Sequence, residues 1–212
     1  MVTPPPRSPP PPRELVVLVH GLLRTPRSLG SLARSLERDG FATCRFGYPS
    51  VRGSLEGHAR AFAAELARLE ATAGGARLHV VGHSMGNVVA RAALALARPA
   101  TLGRVVMLVP PNRGSPVARW LAPLLGGLLP ALRELSDHVD SRVRQLAALP
   151  GVEVGIIAAR LDHLVPEAST HLVGESDHVR LLSTHTGVLR DRAVHAHVVA
   201  FLRDGRFPRA RR

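Results

Sequence analysis

The chain has 212 residues, enough for one domain with a full apolar core, and a net charge of +12 in which every basic residue is arginine. That charge is scattered except in the closing RFPRARR. It accompanies abundant alanine, glycine and proline, as a GC-rich coding bias would give, and only five Phe, one Trp and one Tyr are present to stack on bases, so nucleic acid is not indicated. The single cysteine, Cys44, excludes an intrachain disulfide.

Residues 1–13, MVTPPPRSPPPPR, contain no apolar run of the kind a signal peptide needs and read as a disordered or polyproline II arm. Residues 14–207 then read as the domain and 208–212 as a basic tail. ELVVLVHG predicts a first strand buried on both faces, and a helix follows over 28–38. FATCRFGYP is a second strand. Residues 55–71 give a periodic helix closed by Gly74 and Gly75. RLHVVGH is a third strand, with a helix after Ser84. RVVMLVPP, GVEVGIIAA and the weaker HVRLLS supply the remaining strands, and a last helix is expected from about Val188 to Arg203. Strands alternating with helices predict an α/β fold, a mostly parallel six-stranded sheet with helices on both faces, with its chemistry in the loops after the strands. The apolar stretch from Trp120 to Leu132 is too short, and too rich in Pro and Gly, to span a bilayer, so a soluble, cytoplasmic protein is expected.

Strand, turn and helix converge on Gly82-His83-Ser84-Met85-Gly86. A nucleophile elbow needs that context, with glycines where a side chain would collide across the turn. An ordinary Gly-rich strand-to-helix turn would carry the same letters. A serine nucleophile requires a base and an orienting acid, here in the order Ser, Asp or Glu, His. Among eleven histidines, His185 alone lies between the sixth strand and the last helix. His195 and His197 fall inside that helix, His171 and His178 come too early, and His83 and His20 belong to the elbow and the first strand. Asp162 follows the fifth strand and is the favoured acid. Asp177 precedes the sixth and should sit at the opposite edge. The backbone N–H groups of Met85 and Leu22 are the expected oxyanion donors, with Gly21 allowing close approach.

The pieces LVHGLL, VVGHSMGNVVAR, VPPNRGSP, ARLDHLVP and STHTGVL…FLRDGRF, spread over residues 15–207, resemble the α/β-hydrolase superfamily, especially its small bacterial lipase-like and esterase-like members. The resemblance implies Ser84 as nucleophile, Asp162 as acid, His185 as base, and Asn112, Arg113 and Ser115 at the pocket rim. Two departures stand out: the chain starts at the family's third strand, and Asn87 replaces a second glycine after the elbow.

The leading expectation is an esterase or small lipase working through an acyl-enzyme without cofactor or metal. An acyltransferase using the same triad and a non-catalytic binding protein are the alternatives. A metal hydrolase would need an H-E-x-x-H or similar ligand set, which is absent. Residues 115–149 exceed a plain crossover, and their first half, PVARWLAPLLGGLLPAL, is apolar on more than one face. They read either as core or as a mobile cap hinged at Gly126 and Gly127, with Trp120, Leu121, Leu124 and Leu125, and Leu23 nearby, facing the acyl chain. Such a cap would favour short-to-medium acyl esters over long or charged ones and could touch a lipid interface.

Overall fold

A computed structural model describes residues 13–209. Residues 1–12 of the Pro-rich arm and the last three of the basic tail lie outside the described residues.

The six strands are β1 (Leu15–Val19), β2 (Ala42–Phe46), β3 (Leu78–His83), β4 (Leu102–Leu108), β5 (Val154–Leu161) and β6 (Asp177–Thr184). They form one sheet, parallel throughout, in the order β2-β1-β3-β4-β5-β6. Alternation along each strand divides the core in two. Val17, Val19, Val80, Met107 and Ile156 pack with Phe62 and Leu66 of α2 (Leu55–Thr72) and Val88 and Val89 of α3 (Met85–Leu96). Val16, Leu18, Val81, Val106, Leu108 and Ile157 face Leu32 and Leu36 of α1 (Gly30–Arg38), and Val198 and Phe201 of α8 (Arg192–Asp204). Each such side chain contributes about 1.5–3 kcal/mol by leaving water, so a sheet covered on both faces is the only arrangement that buries both sets.

From β1 the chain passes outward to β2, then returns to place β3 on the other side of β1. The loops after β1 and β3 therefore leave in opposite directions and open a crevice at the strand ends. The elbow sequence follows β3, and Gly21-Leu22 follows β1.

Two elements differ from expectation. The last helix starts at Arg192, because the Asp191 carboxylate caps it, accepting from the N–H groups of Ala193 (2.9 Å) and Val194 (3.5 Å). Gly187–Leu189 form a separate 3-10 turn, whose buried Val188 and Leu189 had extended the apolar periodicity. Residues 115–149 hold three short helices, α4 (Pro116–Leu125), α5 (Ala131–Glu134) and α6 (Arg142–Gln145), and a further turn, α7 (Glu167–Thr170), follows β5. Among the described residues no helix is long and apolar enough to cross a membrane.

Candidate active site

Ser84 carries the sharpest turn in the chain, with φ 50° and ψ −124° between β3 and α3. An L-residue in that region costs on the order of 1–3 kcal/mol and persists only where its surroundings hold it. Here they do. The Ser84 N–H donates to Leu108 O at 3.0 Å, Asn87 N–H donates to Ser84 O at 3.0 Å, and the Asn87 side-chain amide donates to both Ser84 O (3.1 Å) and Leu108 O (3.0 Å). Asn87 thus braces the elbow, filling the space that Gly82 leaves open, and is buried away from any pocket floor. Gly86 is required because its missing side chain would lie 2.6 Å from His20 O, where α3 crosses the end of β1.

His185 and Asp162 converge on this serine from the ends of β6 and β5. The Ser84 hydroxyl donates to His185 Nε2 at 3.0 Å, and His185 Nδ1 donates to Asp162 Oδ2 at 2.7 Å. The Asp162 side chain is 1% exposed, and its other oxygen accepts from the N–H groups of Leu164 (2.8 Å) and Val165 (2.9 Å). Burial pushes this carboxyl up, but the His185 hydrogen bond and charge and the two N–H groups outweigh it, holding the group below the usual carboxylate range. Buried His83 donates from Nε2 to the His185 carbonyl at 2.8 Å, tying the loop after β6 to the elbow. Burial, followed by repulsion from His185, drives its own pKa down to about 3, so it stays neutral.

Across the crevice, the missing side chain of Gly21 would lie 3.0 Å from Ser84 Cβ, so the β1 loop runs against Ser84. Neither the Leu22 nor the Met85 backbone N–H makes a hydrogen bond among the described residues. Leu23 follows with φ 56° and is exposed at the mouth.

A cavity of about 340 Å³ opens over Ser84 and His185. Ser115, Val117 and Ala118 line it at the start of α4, and Leu121, Leu125, Leu129, Leu132 and Leu135 form an apolar wall. Leu22, Leu23, Arg24, Leu164 and Thr186 lie nearer its opening. Trp120 and Leu124, expected in this lining, are 72% and 74% exposed and lie outside it. Within α4, four-residue spacing explains the split, since Trp120 and Leu124 share an outer stripe and Leu121 and Leu125 an inner one, and in the turn beyond it Leu128 is exposed while Leu129 lines the cavity. Of the expected rim residues only Ser115 lines the cavity. Asn112 is buried, holding Thr170 O at 2.7 Å, and Arg113 is exposed.

Asp177 lies at the opposite end of the sheet, where it accepts from Phe207 N–H and Arg209 and pins the C-terminal segment. His195 bonds to Leu189 O within α8, His171 and His178 stack on each other, and His20 stacks on Tyr48. Sequence reasoning missed the roles of Asn87 and His83. It also missed Arg91 of α3, 3% exposed, which donates to Asn112 O and Oδ1 (3.3 and 3.2 Å) and to the carbonyls of Leu146 (2.7 Å) and Ala147 (3.3 Å). Burial lowers its pKa to about 10. Among the described residues no cluster of three or more His, Cys, Asp or Glu could hold a metal ion.

The fold is that of the α/β-hydrolases. The mature lipase BlEst2 of Bacillus licheniformis superposes with a TM-score of 0.72 at 16% identity, over 93% of this chain and 94% of that one. Phospholipase PlaB of Legionella pneumophila gives 0.73 at 16% identity, over 91% and 60%. Est1E of Butyrivibrio proteoclasticus, also solved with ferulic acid bound, gives 0.69 at 17% identity, over 92% and 89%. No curated protein sequence matches. A family model described as "Serine aminopeptidase, S33" matches residues 10–149, a span that holds the β1 loop, the elbow and residues 115–149. The chain belongs to this serine aminopeptidase S33 family of α/β-hydrolases.

Proposed function

We propose that the protein is a carboxylic ester hydrolase of the esterase or small-lipase type, acting through an acyl-enzyme on Ser84. The hydrogen-bonded line from Ser84 through His185 to Asp162, placed under an apolar cavity, carries this reading. Ser84 Oγ attacks the ester carbonyl while His185 Nε2 takes its proton. The oxyanion forms against the N–H groups of Leu22 and Met85. The His185 imidazolium, held by Asp162, then protonates the departing alkoxide. Water repeats the sequence on the acyl-enzyme and releases the acid.

The family description raises an aminopeptidase as the competing reading. An enzyme that selects a free α-ammonium needs an anion to receive it, and no carboxylate lines this cavity. Its leucine wall suits an apolar acyl chain instead. Residues 115–149 act in this reading as the cap that supplies the wall, with the exposed Trp120, Leu124 and Leu128 available to a lipid interface.

The test is labelling with a fluorophosphonate probe, followed by a panel of esters of graded acyl length with and without chelator and an added alcohol acceptor. Labelling at Ser84, chelator-insensitive hydrolysis of short-to-medium acyl esters and little transfer to the acceptor are expected. Failure to label Ser84 sinks the serine mechanism, and transfer outrunning hydrolysis makes the enzyme an acyltransferase.

A further inference from the structure

The cavity is chemically two-sided. In serine acyl transfer the leaving oxygen must lie within reach of the imidazolium Nε2 that protonates it, so the alcohol half of the ester lies on the His185 side. The acyl half takes the other direction, toward Leu121, Leu125 and Leu132. Beside His185 stands Thr186, and the Arg24 guanidinium reaches across the mouth to donate from Nη2 to Thr186 Oγ1 at 2.9 Å. The Arg24 backbone is tied on both sides, its N–H donating to Gly21 O (3.3 Å) and its carbonyl accepting from Ser50 Oγ (3.4 Å), so it is fixed within the loop that also supplies Leu22 and against the loop after β2.

Arg24 takes part in no salt bridge among the described residues, and its remaining side-chain N–H groups make no hydrogen bond there. Among the described residues, His83 and His185 are the only other ionisable residues lining the cavity. His83 is neutral and buried, and the charge that His185 gains during the reaction is balanced by Asp162. The one lasting charge in the lining is therefore positive, unpaired and on the leaving-group side.

We infer that the preferred substrates join an apolar acyl group to an anionic alcohol, with Arg24 reading the anion. This rests on the ester-hydrolase reading above and refines the expectation that charged esters react slowly. A charge on the acyl half would have to enter the leucine wall and slows the reaction, whereas an anion on the alcohol half meets a guanidinium suited to a carboxylate or phosphate.

The experiment compares hexanoyl esters of glycerol, of glycolate and of glycerol 3-phosphate on the full chain and on Arg24→Gln and Arg24→Lys, at low and at 0.5 M salt. The readout is kcat/KM for each anionic ester divided by that for the neutral one. Wild type is expected to favour at least one anionic ester, and the two arms separate carboxylate from phosphate recognition. Arg24→Gln should lower that ratio about tenfold, Arg24→Lys should keep most of it, and high salt should narrow it. A ratio that does not respond to Arg24→Gln in an enzyme that still hydrolyses the glycerol ester overturns this inference and leaves the ester-hydrolase reading standing. No hydrolysis of any of the three, with Ser84 unlabelled, overturns both.

Discussion

Ser84 and Trp120 lie thirty-six residues apart in the chain and in opposite structural regimes. At Ser84 a left-handed backbone between β3 and α3 is held by hydrogen bonds to the neighbouring strand β4 and from a buried amide. At Trp120 a large ring stands 72% exposed on a helix interrupted by Pro123, one of three short helices where a single crossover helix would suffice. The first region is specified by directional contacts that permit one geometry. The second is specified by leucines on an inner and an outer stripe, and apolar packing tolerates many arrangements of similar volume. Ser84 and its partners are thus held in one geometry, whereas the apolar wall of the cavity is adjustable.

The sharpest break in that comparison removes the fixed groups themselves. Ser84→Ala and His185→Ala should each lower turnover on the order of a million-fold while the far-UV circular dichroism is kept. Asp162→Asn should cost about ten-thousand-fold, since an amide no longer holds the imidazole in the working tautomer. Asp177→Asn, at the far end of the sheet, should leave kcat near wild type and lower the melting temperature through loss of its contacts to Phe207 and Arg209. A silent Asp162→Asn beside a crippled Asp177→Asn would reverse the assignment.

Acid should damage the fixed region in a defined window. His20, His58, His79, His83, His178 and His195 all have pKa values lowered chiefly by burial. Each binds its proton more readily when unfolded, so the stabilisation is complete above the ordinary value of 6.5 and is lost as pH falls below it. For His83, folded value about 3, the loss runs from pH 6.5 down toward 3 at a limiting slope of about 1.4 kcal/mol per pH unit. Melting temperatures from pH 8 to 4 should be level at first and then fall steeply below 6.5. A level profile down to pH 4 would show that these imidazoles charge in place.

The smallest effect sharpens the other side. Leu125 lines the cavity and Leu124 does not, so Leu125→Ser should lower kcat/KM for the best-fitting acyl chain about tenfold and shift the length optimum, and Leu124→Ser should leave both alone. Equal profiles for the two variants would remove α4 from the acyl wall.

The same division governs what could be read from the sequence. Six strands, the elbow and the chain order Ser84, Asp162, His185 follow from periodicity and loop position, which are local and survive translation into space. The start of α8 was misplaced because Val188 and Leu189 continue an apolar rhythm that the Asp191 cap interrupts. Inner and outer leucines of α4 could not be assigned, since both stripes are apolar and only tertiary packing chooses between them. The brace from Asn87 and the bond from His83 to the His185 carbonyl are likewise invisible in the letters, because each joins residues through a turn or from strands three places apart in the sheet. Nor does any pattern announce Val109, a buried β-branched residue at φ 43° that redirects the chain at the end of β4.

Arg91 gives the adjustable segment an evolutionary property. One buried guanidinium grips Asn112 just before the segment and Leu146 and Ala147 at its end, so the stretch between begins and finishes at points nailed to α3. For a loop whose ends are already fixed, doubling its length adds only about 0.6 kcal/mol of closure entropy. Residues between the two pins can therefore be lengthened, shortened or exchanged as a cassette, reshaping the cavity wall while the strain stored at Ser84 stays undisturbed.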